Sequence, residues 1–402
     1  MNTEPLVFER TIHAPVEQVY QALTNSTALR EWLCDAATTD PHPGGRVYLW
    51  WNNGYYSCGE FLNLVNGQEV AFSWLGRGDP GATRVEITLV SETNSTRLKL
   101  VHAGLGNDEA WTAIAQRIHK GWESSLNNLA HTLEVGPDLR ITTRPMMGFY
   151  LDDYNETIAH ELGVPVTLGV RIANVIDGMG AQAAGLQKND VIVGLAGHPV
   201  TDYASLTAAM QNRKAGEEVQ MIYYRGAEKI SVTMKLSPRP IPEIPPTPAE
   251  LAAAVKRNYA QMETDLDAFL QGVSEEEASA RPNPAEWSIK GVLAHLIHGE
   301  RGWQNTLGEI ITSAEASYDE FGGNPEVRID ATLAAYPSLN DLVTELKRLF
   351  VETLAIIANL PADFVARKTS YWRLGYQALQ VNFHFQTHME QMQATIQTIR
   401  QQ

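Results

Sequence analysis

The stretch SPRPIPEIPPTPAE, residues 237–250, limits the fold of this chain more than any other, because prolines stand at 238, 240, 242, 245, 246 and 248. Each proline fixes φ and removes a backbone donor, so the run supports neither a helix interior nor a central strand. It predicts an extended, semi-rigid spacer. At 402 residues the chain is too long for one ordinary core, and the textures on the two sides of the spacer differ. Residues 1 to about 135 alternate in strand fashion, as at 46–51 and 97–101, and close with a helical run over 111–133. Residues from about 138 to 237 are rich in Gly and Val and end in strand patterns at 219–224 and 229–236. Beyond the spacer, residues 249–402 read as helices almost throughout. The expected division is 1–136, 138–238, a Pro-rich linker at 239–248, and 249–402, with Gly136-Pro137 marking the softer boundary.

A composition of 44% hydrophobic and 19% charged residues is that of a folded globular protein. The 31 basic and 47 acidic side chains leave a net charge of -16. Such a surface repels phosphate backbones, so nucleic acid is not an expected partner, and neutral or cationic ligands are favoured. Cys34 and Cys58 are the two cysteines, which excludes a disulfide framework and leaves a single bridge open. The start MNTEPLVFERTIHAP lacks a basic stretch followed by an apolar core, and no run reaches bilayer-spanning length. No membrane span and a cytoplasmic location are expected.

In the first segment, HAPVEQVYQALTN reads as an extended piece leading into a helix. Pro15 suits a first helical turn, and Val19, Ala22 and Leu23 fall on one face. PGGRVYLWW, YYSCGEF and HKGWESSLNNLAHTLE then give strands beside one long amphipathic helix. The aromatic residues Trp32, Trp50, Trp51, Tyr55, Tyr56, Trp74 and Trp122 serve either as core or as the lining of an apolar cavity. Cys34 reads as a small buried hydrophobe. His102 and Asp35 form an acid–base pair only if the fold brings them together. The order of His13-Ala14-Pro15, Trp32, Gly44-Gly45, Gly54, Gly59, Trp74, Gly121-Trp122 and Leu126/Leu129 resembles the START-like helix-grip superfamily, also called SRPBCC. Within it, the segment is similar to the branch named after the activator of the heat-shock-protein-90 ATPase. The resemblance implies an α+β helix-grip fold whose cavity takes a small hydrophobic ligand, lined by Trp32, Trp51, Tyr56, Trp74 and Trp122. Eukaryotic activators carry a further N-terminal client-binding domain, whereas this sequence opens on the helix-grip segment, so a co-chaperone role is not expected.

In the second segment, Gly185-Leu186, Asn189-Asp190 and Gly197 punctuate short strands, and 202–212 reads as a helix. GAQAAGLQKNDVI and its surroundings, from about 145 to 236, resemble PDZ domains of the bacterial HtrA-like type. The resemblance implies a mainly-β fold in which a Gly-containing loop turns backbone N–H groups toward a peptide's C-terminal carboxylate, the peptide adding as a strand to the sheet edge. The loop and strand are then Met147, Gly148, Phe149, Tyr150 and Leu151, with Tyr203, Leu206 and Met210 shaping the side-chain pocket. The same residues are also compatible with plain packing. HtrA relatives place such domains after a serine protease. No GNSGG-like segment or GxSxG elbow occurs here, and proteolysis is not expected.

The last segment contains four helical stripes: 249–272, one from Trp287-Ser288 onward, 338–360, and 376–400. Four such helices suffice for an all-α bundle. His384 and His388 are four residues apart, so they project from one face of their helix, and His295 lies on the apolar stripe of another. From pattern alone, such histidines are more often core residues than ligands. EWSIKGVLAHLIHGE followed later by HFQTHMEQM resembles the DinB-like bundle family, which includes metal-dependent thiol S-transferases. That resemblance assigns His295, His384 and His388 as ligands of a divalent metal, Zn or Ni, with His298 competing and a low-molecular-weight thiol as a further cofactor. Catalytic residues are not identified. The expectation is a multidomain ligand- and peptide-binding protein. The alternative is a metal-dependent thiol S-transferase or hydrolase in detoxification or the stress response.

Overall fold

The computed structural model describes residues 4–211, 213–284, 286–314 and 326–401. The first part is a seven-stranded antiparallel sheet, β1 (Leu6–Ile12), β2 (Ala36–Thr39), β3 (Arg46–Trp50), β4 (Tyr56–Val65), β5 (Glu69–Gly76), β6 (Thr83–Glu92) and β7 (Ser95–Ala103), in the order β1-β7-β6-β5-β4-β3-β2. Helices α1 (Val16–Thr24) and α2 (Ser26–Trp32) follow β1, and α3 (Glu109–Glu134) closes the unit. Alternation does what the pattern requires: Val85, Ile87 and Leu89 of β6 and Leu98, Leu100 and His102 of β7 are buried on one face. Asp108 caps α3 by accepting from the Trp111 N–H at 3.1 Å. Trp111, Ile114, Ile118, Trp122, Leu126 and Leu129 then recur every three or four residues and press onto the sheet.

After α4 (Leu139–Thr142) comes a second sheet of β8 (Phe149–Asp152), β9 (Val170–Val175), β10 (Val191–Leu195), β11 (His198–Pro199), β12 (Glu218–Arg225) and β13 (Glu228–Lys235). Its order is β13-β12-β10-β9-β8, with β11 paired to β10, which leaves β8 at the edge. Three short helices, α5 (Glu156–Leu162), α6 (Gly180–Ala183) and α7 (Tyr203–Ala209), complete it. Asp202 and Ser205 form a capping box at the start of α7. The helix stops at Ala209, short of the expected 212, and Asn212 lies outside the described residues.

The remainder is helical: α8 (Pro248–Leu270), α9 (Glu275–Ser279), α10 (Ile289–Thr312), α11 (Glu326–Ala335), α12 (Leu339–Ala358), α13 (Ala362–Ala366), α14 (Lys368–Ala378) and α15 (Val381–Gln401). Helices α8, α12, α10 and α15 pack in a ring around one core. Thr247, Ser288 and Ser338 cap α8, α10 and α12. The fourth helix begins at Val381 and not near 376: the chain turns at Leu379–Gln380, where Asn258 Nδ2 bonds the Leu379 carbonyl at 3.3 Å. Residues 376–378 belong instead to α14, which leaves the bundle to pack on the first sheet domain. Its Arg373 reaches Asp138 at 2.7 Å, and Thr369 donates to the Thr132 carbonyl at 2.6 Å. The prolines hold 239–246 free of regular structure. The spacer nevertheless lies along α14, where Tyr371 donates to the Pro245 carbonyl at 2.9 Å and Ile244 fills the space a Cβ on Gly375 would need.

Candidate metal centre

Helices α10 and α15 face each other in the bundle, and their histidines converge. His384 Nε2 lies 3.1 Å from His295 Nε2 and 3.0 Å from His388 Nε2. Each of the three residues offers a ring nitrogen within 4.8 Å of the others. The i, i+4 step puts His384 and His388 one turn apart on α15, and His295 meets them from α10. Their ring centroids are 4.5–5.1 Å apart, and Trp287 packs against His295 at 5.1 Å.

The donor set fits a divalent metal. Nitrogens about 2.1 Å from a common ion stand about 3.4 Å apart at tetrahedral angles and about 3.0 Å apart at octahedral ones. The observed spacing of 3.0–3.1 Å falls at that range. Gln391 Oε1 accepts from His388 Nδ1 at 2.9 Å, which fixes the proton there and leaves the Nε2 lone pair turned into the cluster. Burial lowers His384 to about 4, helped by His388 and His295, and burial also lowers His388. His384 is the most exposed of the three as a residue; it is the ring, packed between the other two, that feels the desolvation. Neutral imidazoles with converging nitrogens are the form a metal requires. His298, the competing candidate, is turned to α11: its Nε2 lies 2.9 Å from both the Arg328 carbonyl and Thr332 Oγ1.

Beside the cluster is a cavity of about 230 Å³. Its wall is apolar over Met262, Leu296, Trp303, Leu346, Phe350 and Phe385, and polar at Glu300, Gln377, Gln380 and His384. Glu300 was not among the expected site residues. Its position three to seven residues from Leu293, Leu296, Ile297 and Leu307 on the buried face of α10 was the signal that could have found it.

In the PDZ-like sheet, the Met147 and Gly148 carbonyls accept from Ala181 N (3.0 Å) and Ile176 N (2.8 Å). Because the peptide unit is trans, bonding those carbonyls into the domain turns the Gly148 and Phe149 N–H groups the opposite way. Gly148 has φ +90°, and a Cβ there would stand 2.4 Å from Met179 Cβ. Phe149 and Leu151 turn toward the core, whereas Tyr150 is exposed. Tyr203 is also exposed, while Leu206 and Met210 are buried in the core. Those two belong to the hydrophobic core of the domain. Burial, and then the Glu390 carboxylate, raise Tyr150.

The helix-grip interior is close-packed. Trp32 and Trp122 border a void of about 10 Å³, the size of one water. Trp74 packs at a tilt against Trp51 and Trp122, and Tyr56 stands on the exterior, away from the expected lining. His102 and Asp35 are not a pair: His102 bonds Thr83 and Trp122, and Asp35 accepts from the Asn52 N–H. Cys34 is buried, which pushes its thiol up to about 12, and it is not bridged to Cys58. Among the described residues, no helix is long and apolar enough to cross a membrane.

Comparison with known proteins matches each part. Residues 13–134 match the family model described as activator of Hsp90 ATPase homolog 1-like protein, 145–236 that of the PDZ domain, and 258–392 that of the DinB superfamily. Similar curated proteins include a "Probable periplasmic serine endoprotease DegP-like" of Ectopseudomonas mendocina, 32% identical over 127 residues. That match covers 30% of this chain and 25% of the relative. Another is a "Probable periplasmic serine protease do/HhoA-like" of Haemophilus influenzae, 27% identical over 93 residues and covering 23% and 20%. The chain thus spans a quarter or less of these relatives. Similar solved structures are CalU16 from Micromonospora echinospora, at 24% identity, TM-score 0.29 and coverage of 34% and 78%, and the Aha1 dimer from Colwellia psychrerythraea, at 20% identity, TM-score 0.30 and coverage of 33% and 98%. The chain therefore joins, in series, a START-like domain of the Hsp90-ATPase-activator type, a PDZ domain and a DinB-like helical bundle.

Proposed function

We propose that this is a metal-binding adaptor: the bundle holds one divalent ion on His295, His384 and His388, and the PDZ groove takes the C-terminal carboxylate of a partner peptide. The observation that carries the reading is the approach of His295 and His388 Nε2 to His384 Nε2, at 3.1 and 3.0 Å, with His388 oriented from behind by Gln391. Three imidazoles suit Zn²⁺ or Ni²⁺ and leave coordination positions open. For peptide capture, the support is the outward turn of the Gly148 and Phe149 N–H groups beside β8, the edge strand of its sheet. The helix-grip interior takes a small hydrophobic ligand only if the Trp51, Trp74 and Trp122 cluster parts, given its void of about 10 Å³. Two unbridged cysteines suit a reducing compartment, and we place the protein in the cytoplasm.

A second reading, a metal-dependent thiol S-transferase or hydrolase, is favoured by one feature, the cavity of about 230 Å³ that includes His384 in its wall. A bound divalent ion would lower the pKa of a thiol or water there. The chain's own contribution is to orient the three imidazoles, exclude bulk water with the apolar wall, and admit a small ligand. Equilibrium dialysis of the purified chain against Zn²⁺ and Ni²⁺ tests the centre. About one ion per chain is expected, and loss of uptake in His295→Ala; equal uptake by both proteins contradicts it.

A further inference from the structure

Of the 10 methionines, Met1 lies outside the described residues. Met210, Met221, Met234, Met262, Met389 and Met392 are buried, none more than 9% exposed. The other three, Met146, Met147 and Met179, are half-buried, and all three stand at the glycine loop of the PDZ domain. Met146 and Met147 lead into Gly148, and Met146 exchanges backbone hydrogen bonds with Ser237 at 2.8 and 2.9 Å. Met179 arrives from the start of α6. The segment that carries it is fastened to the loop, since Ile176 N donates to the Gly148 carbonyl and Ala181 N to the Met147 carbonyl. Its side chain takes the space a Cβ on Gly148 would need, with Cβ 2.4 Å and Sδ 3.4 Å from that position. Met147 packs against the domain core, and Met179 is not part of that cluster. An unbranched thioether moulds to such a turn. A sulfoxide is larger, polar and chiral, and does not.

We propose that Met179 is an oxidation site that controls peptide capture: its sulfoxide pushes the Gly148 turn out of line, and the loop releases the peptide's carboxylate. The inference rests on the peptide-capture reading above. The oxidant is a hydroperoxide. The Sδ lone pair attacks its outer oxygen, and an S–O bond forms as the O–O bond breaks. The proton of the transferred oxygen passes to the departing one, which leaves as water or an alcohol. Sulfur loses two electrons and the peroxide gains them. Burial sets the order of reaction, because a peroxide reaches the three loop methionines before the six buried ones. Methionine sulfoxide is reducible by methionine sulfoxide reductases, so the change is reversible.

The test uses the full chain and an immobilised peptide library, presented with free C-terminal carboxylates or with amidated ends. Hydrogen peroxide is added in a time course. Sulfoxide at each methionine is read by peptide mass mapping, and apparent affinity by titrating the protein over the library. Met146, Met147 and Met179 are expected to oxidise first. Affinity for free carboxylates should fall about tenfold as Met179 converts, and return on treatment with the reductases. Met179→Leu, of similar volume, should keep its affinity through the same treatment, whereas Met146→Leu should stay sensitive. If Met179→Leu does not fold, the time course carries the test, and the loss must track sulfoxide at Met179. Unchanged affinity with Met179 fully oxidised overturns the proposal, as does an equal loss in Met179→Leu or earlier oxidation of the buried methionines. Untreated wild type that binds free and amidated ends alike overturns the capture reading, and this inference with it.

Discussion

Arg373 on α14 and Asp138, just beyond α3, meet at 2.7 Å although they are 235 positions apart. Asp138 is fully buried and also accepts from Arg140 at 2.8 Å and Asn128 at 2.9 Å. The first and last domains are therefore docked on each other, with the PDZ domain as the intervening stretch of chain. Removing one cation from a buried carboxylate leaves charge uncompensated. Arg373→Ala should cost about 2 kcal/mol in urea unfolding at neutral pH. Asp138→Asn combined with it should cost less than the sum of the two single changes.

The same carboxylate sets an acid limit. Burial alone would raise Asp138, but Arg140 and Arg373 hold it below the ordinary carboxylate range. A depressed folded pKa means the stabilisation is complete above the unfolded value of about 3.9 and is lost as pH falls through the folded value. Docking of α14 on the first domain should hold at pH 5 and loosen below about pH 4. Limited proteolysis at the 239–248 linker against pH checks this.

His102 gives the first domain a separate pH dependence. Trp122 Nε1 is a donor and lies 3.0 Å from His102 Nδ1, so that nitrogen is the acceptor. The proton is then on Nε2, which donates to Thr83 Oγ1 at 2.7 Å, and the Thr83 hydroxyl donates to the Trp74 carbonyl. A second proton on the ring would face the Trp122 N–H, and burial lowers His102 to about 4. The resulting stability is complete above the unfolded pKa of about 6.5 and falls as pH drops toward 4, by on the order of 3 kcal/mol. Denaturant midpoints followed by tryptophan fluorescence at pH 7 and pH 5 should differ, and His102→Gln should reduce the difference.

Gly148→Ala should damage the PDZ domain. Its left-handed backbone disfavours a side chain, and the new Cβ would press on Met179. A loss of about 1–3 kcal/mol is expected in thermal unfolding. A pull-down with a C-terminal peptide library should favour free carboxylates over amidated ends in the wild type, and the variant should lose that preference.

Much of the fold was legible because its signals are local. The prolines at 238–248 forbid regular structure, alternation in β6 and β7 fixes a face, and the i, i+4 step of His384 and His388 survives into the cluster. What was missed depends on long-range partners. Neither the Arg373–Asp138 contact nor the departure of 376–378 from the fourth helix has a local signature, since α14 follows the surface it docks on. Leu206 and Met210 kept helical spacing, which identifies a face but not whether that face is filled. The aromatic residues of the first domain raised the same question, and close packing answered it with a void of about 10 Å³.

Cobalt titration of the purified full chain, followed by its visible absorption, tests the central claim most directly. The wild type should show a saturating band at about one ion per chain, with His298→Ala unchanged because His298 is turned to α11. His384→Ala should lose the band while keeping its helical circular dichroism. An identical titration for wild type and His384→Ala would contradict a metal centre on His295, His384 and His388.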